Sequence, residues 1–204
     1  MSSRSAQRDA TRERIVEAAL AAFAENGFLG ASTRDIALRA GANQGLITYH
    51  FRTKDELWRA AVDRVFARLR AHLGAQLAAS PTSDPREAAR AAVRAYVEFA
   101  AACPELFRLL VDEGKNDDER MAWLVDTHLE PLYTTFLLGS GAGAGGGGPA
   151  GDPVAAAHTY YVLAGAASLI FAVAPECRRL TGVDPATPAA VARHADLVAR
   201  VLVP

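Results

Sequence analysis

Three helix starts fall within residues 32–56, and that spacing constrains the local fold more than any other feature of the chain. Ser32-Thr33-Arg34-Asp35 reads as a capping box, in which the Ser32 hydroxyl caps a helix and Asp35 reaches back from its third position. Thr53-Lys54-Asp55-Glu56 repeats the pattern at the head of a longer segment. Between them Asn43 is placed to cap a short helix over residues 43–50, and Gly41-Ala42 leaves room only for a tight turn. Short helices joined by a Gly-containing turn form a helix-turn-helix.

The third of these helices sorts its side chains by chemistry. Ile47 and Phe51 stand at i,i+4 and predict an inward edge, meeting Ile15, Phe23 and Ile36. The opposite edge offers Gln44, Thr48 and Tyr49, with Gly45 permitting close backbone approach and Leu46 near the helix start. Gln can read adenine in a major groove, the Thr methyl can meet thymine, and Tyr can contact a phosphate or a base edge. Ser32, Thr33 and Lys54 lie at helix N-termini, where free N–H groups and the dipole favour a phosphate. The net charge of −1 conceals an uneven split. Residues 1–60 hold nine basic against seven acidic side chains, and the remainder thirteen against sixteen. The modest positive excess therefore lies where DNA would sit.

The rest of the chain reads as helices, giving an all-α fold. Half the residues are hydrophobic, 44 are alanine, and no strand pattern is evident. Helices are expected over residues 9–26, stopped by Asn26-Gly27, over 32–40, 43–50, and from 53 onward to the breaker cluster at residues 80–85. Beyond it helices are expected over 86–102, 104–111 and 118–138. Eight glycines between 139 and 151 predict a flexible loop. A stretch free of Asp, Glu, Lys and Arg follows over residues 153–175, then a loop from 180 to 188 and a last helix over 189–202. That stretch is long enough to span a bilayer of ~30 Å, but its alanines, His158, Thr159 and Ser168 favour a helix packed in protein. No secretory signal is read in residues 1–14, and Cys103 and Cys177 are expected as two reduced thiols.

Residues 9–66 resemble the opening of a TetR/AcrR-type regulator. The resemblance runs through Arg12-x-x-Ile15-x-x-Ala18-Ala19-x-x-x-Phe23, Asn26-Gly27-Phe28 and Ser32-Thr33-Arg34-Asp35-Ile36-Ala37. It continues without a gap from Ala40-Gly41-Ala42-Asn43-Gln44-Gly45-Leu46-Ile47-Thr48-Tyr49-His50-Phe51 through Arg52-Thr53-Lys54-Asp55-Glu56-Leu57. It implies a three-helix DNA-binding domain over residues 9–56, the start of a connecting helix to about residue 79, and a helical ligand-binding and dimerisation domain over 84–204. The DNA-facing set is then Ser32, Thr33, Arg34, Asn43, Gln44, Gly45, Leu46, Thr48, Tyr49, His50 and Lys54. Family members commonly carry tyrosine where this chain has Thr48, a departure that bears on the operator sequence and not on docking. The implied protein is a cytoplasmic homodimer, joined through its last two helices, that binds double-stranded DNA and answers to a small hydrophobic or amphipathic effector. Candidate pocket residues are Phe66, Tyr96, Phe99, Phe107, Trp123, His128 and Tyr160, although aromatics at such spacing are more often core.

No catalytic constellation is legible, no cofactor is implied, and no metal site is expected. His50 has no ligand-spaced partner, and Asp126, His128 and Glu130 alternate at i,i+2, which points them to different helix faces. The alternative function is a small-molecule-binding or interaction protein whose helix-turn-helix has lost DNA binding.

Overall fold

The computed structural model describes residues 3–139 and 152–203, with side chains from 5 to 135 and from 152 to 203. The glycine-rich tract expected as a flexible loop lies outside these residues from position 140 to 151. All described regular structure is helical. In order it comprises α1 (Ser3–Gly30), α2 (Thr33–Arg39), α3 (Gln44–His50), α4 (Lys54–Ala79), α5 (Pro85–Ala102), α6 (Pro104–Glu113) and α7 (Glu119–Leu124). A π-helical turn (Val125–Leu129) leads into α8 (Glu130–Gly139), and α9 (Pro153–Ala172), α10 (Ala174–Thr181) and α11 (Pro188–Leu202) complete the chain.

The chain forms two compact units. The first takes residues 1–68 and 108–116, and the second takes 69–107 and 117–204. In the first unit, α1 buries Ile15, Val16, Ala19, Leu20, Ala22 and Phe23 as one stripe. α4 answers with Leu57, Trp58, Ala61, Val62 and Val65, all fully buried. The expected inward edge of α3 is found: Ile47 and Phe51 are buried along with Ile36 of α2. Ion pairs from Arg64 to Glu13 (3.0 Å) and from Arg68 to Glu17 (3.1 Å) link the outer sides of α1 and α4. Exposed pairs of this kind each contribute about 0–1 kcal/mol, so burial carries the unit.

Gly27 stops the first run of α1, as expected, and a second helical run joins it across a kink. The Gly27 φ of 66° and ψ of 174° are non-helical, yet its carbonyl still accepts from the Ala31 N–H at 3.2 Å. The kink brings Phe28 onto Phe23 at 6.0 Å and edge-on to Trp58 at 6.5 Å.

In the second unit α5 packs against α9 and α11. Val93, Val97 and Ala100 meet Ala167 and Phe171 of α9 and Ala195, Val198 and Ala199 of α11. Arg94 fastens this core from outside, reaching Glu87 and Asp196, each at 3.1 Å. The helix expected over residues 118–138 is interrupted by the π turn. Within that turn Asp126 is exposed and His128 is buried, and Glu130, just past it, is exposed. The charge-free stretch is also two helices, because Val173 leaves helical geometry and Pro175 occupies the first turn of α10. By length and composition α9 could cross a membrane, with a mean hydropathy of 1.5 over its most apolar window. Only 22% of that window is buried within the chain, so the helix expected to pack in protein is left largely half-buried or exposed.

Candidate nucleic-acid interface

All three helix starts predicted in residues 32–56 are capped. The Ser32 hydroxyl accepts from the Asp35 N–H at 3.0 Å, and the Asn43 side chain accepts from the Leu46 N–H at 3.0 Å. Thr53 does the same for Glu56 at 3.0 Å. The return bond of this last box is displaced by one residue, since Glu56 accepts from the Arg52 N–H at 2.8 Å. Between α2 and α3, Gly41 takes a left-handed φ of 60°, and the Ala42 N–H donates back to the Ala37 carbonyl at 2.9 Å. The turn is thereby tied to the end of α2 before α3 begins.

On α3, Gln44, Gly45, Thr48 and Tyr49 are exposed, while Leu46 and His50 are half-buried. Tyr49 leaves 69% of its surface to solvent, a large investment for an aromatic side chain on a seven-residue helix. The Thr48 hydroxyl donates to the Gln44 carbonyl at 3.4 Å. Ser32 and Arg34 are exposed and Thr33 is half-buried, at or beside the start of α2. Lys54 does not swing free. Its ammonium donates to the Leu29 carbonyl at 3.4 Å and lies 4.8 Å from the centre of the Phe28 ring. The kink at Gly27 therefore positions a cation at the head of α4.

Two residues beside α3 escaped the sequence reading. Arg12 of α1 lies over the Phe51 ring at 5.1 Å, and Arg8 and Arg12 both bear on His50. Burial first, then these two guanidiniums, holds the His50 imidazolium below its ordinary range, with Asp9 opposing. The four-residue spacing of Arg8 and Arg12 was the available signal, because it sets both on one face of a helix.

A family model described as bacterial regulatory proteins of the tetR family matches residues 15–61. Residues 15–61 therefore carry the sequence pattern of the tetR family. Residues of the chain are 46% identical over 55 positions to the HTH-type transcriptional repressor Rv3405c of Mycobacterium tuberculosis, covering 27% of this chain and 29% of that protein. They are 36% identical over 106 positions to the HTH-type transcriptional repressor SCO4008 of Streptomyces coelicolor, covering 52% and 50%. The chain thus spans about three-tenths of the length of the first of these relatives and half of the second. Among solved structures, AibR in complex with isovaleryl coenzyme A and operator DNA shares the fold at a TM-score of 0.70 and 17% identity, over 95% of this chain and 98% of that one. A transcriptional regulator from Rhodococcus sp. Rha1 shares it at 0.63 and 23%, over 94% and 95%. A helix-turn-helix followed by a helical C-terminal part is the fold shared with these two structures.

The candidate pocket residues separate in the structure. Phe66 belongs to the first unit, fully buried. Tyr96, Phe99 and Phe107 come together with Cys103 and Ser168 around a cavity of about 10 Å³, barely the space of one water molecule. Burial pushes the Tyr96 phenol up, and its hydroxyl lies 3.5 Å from that of Ser168. Trp123 and His128 form an edge-to-face pair at 5.3 Å, and Arg70 lies 3.4 Å from the His128 Nδ1. Tyr160 stacks edge-on to Tyr133 at 5.2 Å and to Tyr161 at 5.5 Å. Burial and these neighbouring phenols push Tyr160 up to about 12. A wider groove of about 460 Å³ runs along Ile170, Phe171, Val183, Arg193, His194 and Leu197, and none of the seven candidates lines it. Both cysteines are free thiols, Cys103 buried and Cys177 half-buried. No group of His, Cys, Asp or Glu suited to a metal occurs among the described residues.

Proposed function

We propose that the chain is a ligand-responsive transcriptional repressor that binds a near-palindromic operator as a homodimer and leaves it when a small hydrophobic or amphipathic effector binds. Its functional domains would be residues 9–56 and 84–204, and its place of action the cytoplasm. The carrying observation is the division of α3, with Ile47 and Phe51 held in the core while Gln44, Thr48 and Tyr49 face solvent. A capped, core-anchored helix with hydrogen-bonding and aromatic side chains on its free edge is suited to entering a major groove. Ser32, Thr33, Arg34, Asn43 and Lys54 surround it at helix starts, where backbone N–H groups favour phosphate. Gly45 lets the backbone approach, and Leu46 and His50 flank the readout edge.

The apolar surface of the second unit supports the dimer. Val154, Tyr161, Val162 and Leu169 of α9 and Leu197 and Val201 of α11 are each more than half exposed. A second copy covering α9 and α11 through a two-fold axis would remove these side chains from water. Such a dimer sets its recognition helices roughly 34–36 Å apart, one turn of DNA.

The effector would act by differential binding. It favours the arrangement whose α3 helices do not match successive grooves, so effector and DNA oppose one another reciprocally. The chain passes from the first unit to the second within α4, and residues 108–116 return to the first from the end of α6. These continuous backbone routes support transmission. The protein performs no catalysis on this reading.

Charge reversal on the free edge of α3 tests the proposal. Gln44→Glu with Thr48→Glu should abolish binding of a fluorescent DNA duplex by anisotropy while leaving the thermal melt in place. Unchanged duplex affinity in a folded double variant overturns it.

A further inference from the structure

The α1 helix extends well before the stripe that anchors it, from Ser3 to the first buried residue, Ile15. That extension needs an explanation, since residues 6–10 are exposed and bury no apolar surface. It carries Arg8 and Arg12 one turn apart; Arg12 reaches Phe51 at the end of α3, and the charges of both bear on His50. Arg12 is exposed, makes no ion pair among the described residues, and is held over Phe51 at 5.1 Å. Arg8 makes a loose exposed pair with Asp9 at 3.6 Å. The half-buried His50 ring stands between Tyr49 at 5.1 Å and Phe51 at 6.3 Å. Cationic side chains gathered at the end of a readout helix, with one loosely held carboxylate, Asp9, among them, match the geometry of a nucleic-acid backbone contact.

We infer that Arg8, Arg12 and His50 form a clamp for a backbone phosphate beside the groove that α3 enters. The inference rests on the DNA-binding reading of α3 and adds to it the positioning residues that fix the protein's register. Arg12 is preset by its packing on Phe51, so less side-chain freedom is lost when the phosphate arrives. His50 supplies the pH response. In the free protein it faces Arg8 and Arg12 with only Asp9 as a counter-charge, and Tyr49 and Phe51 present rings. A phosphate in the clamp reverses that balance and favours the imidazolium, so binding takes up a proton. The bound state then holds the higher pKa, and affinity rises as pH falls through the histidine range.

Anisotropy of the full chain with a short mixed-sequence duplex, titrated over salt, tests the clamp. Each phosphate cation contributes about −0.9 to the slope of log K against log salt, so Arg8→Gln and Arg12→Gln should each flatten it by nearly one. Arg12→Lys should keep the slope, which separates charge from packing on Phe51 should Arg12→Gln melt early. Wild-type affinity should increase from about pH 8 to about pH 5.5, and His50→Gln should remove that increase. Wild-type protein that binds the duplex with slopes shared by both Gln variants overturns the clamp and leaves the reading of α3 standing. A wild-type chain that fails to bind duplex at low salt overturns both. A pH response unchanged in His50→Gln removes His50 from the clamp.

Discussion

Replacing Gly27 by alanine isolates the kink that shapes the N-terminal unit. With φ at 66° and ψ at 174°, Gly27 occupies a region nearly closed to other residues, and placing alanine there costs about 1–3 kcal/mol. A Cβ at this position would also overlap the Asp112 carboxylate. Asp112 cannot move without loss, because it holds the Lys115 ammonium at 2.6 Å. That pair is exposed, so its loss adds only about 0.2–1 kcal/mol and brings the expected total to about 1–4 kcal/mol. Urea unfolding of the full chain, followed by Trp58 fluorescence in a Trp123→Phe background, reports this unit, since Trp58 is fully buried within it. An Asp112→Ala background then divides the two causes. There Gly27→Ala should still cost about 1–3 kcal/mol, the backbone share alone. A loss below about 0.5 kcal/mol in both backgrounds, within the range of an ordinary surface substitution, refutes the reasoning.

Asn43→Ala should destabilise the first unit by about 0.5–2 kcal/mol through the lost cap on Leu46, measurable as a lower urea midpoint at unchanged slope; an unchanged midpoint would mean that the cap contributes nothing. The Tyr160 phenol should resist ionisation until about pH 12, so Tyr160→Phe should delete a late step from the ultraviolet titration, and deletion of a step near pH 10 instead would contradict its burial. Because the fold holds the neutral phenol, this contribution to stability is complete below about pH 10, where the unfolded chain begins to ionise, and is lost as pH rises toward 12. Leu169→Glu with Leu197→Glu places charge on the exposed faces of α9 and α11 and should halve the mass seen by light scattering; a wild-type monomer would remove the dimer from the account.

The three capped helix starts were legible in the sequence because caps are local. Ser32, Asn43 and Thr53 each need one side chain three residues before one N–H, and spacing alone reveals that. Ile47 and Phe51 were legible for the same reason, as an i,i+4 pair on a short helix. What the sequence concealed depends on the backbone's response to context. Gly27 signals the stop that the structure has, but not that its carbonyl bonds Ala31 and a second helical run follows across the kink. The π turn has no compositional mark, so the burial of His128 between exposed Asp126 and Glu130 appears only in three dimensions. The break at Val173 inside the charge-free stretch carries no charge or glycine to mark it, although Pro175 fits the first turn of α10 that follows. Tyr96, Phe99 and Phe107 stood among seven pocket candidates, yet which of the seven meet, and the volume left between them, is set by packing that spacing does not encode.

Selection of purified protein against a pool of random DNA duplexes tests the central claim most directly. The account predicts enrichment of a near-palindrome whose half-sites are centred about 10–10.5 base pairs apart, with Gln44→Ala shifting the preferred bases. A pool that stays unenriched, at salt concentrations where the chain still holds duplex, would contradict it.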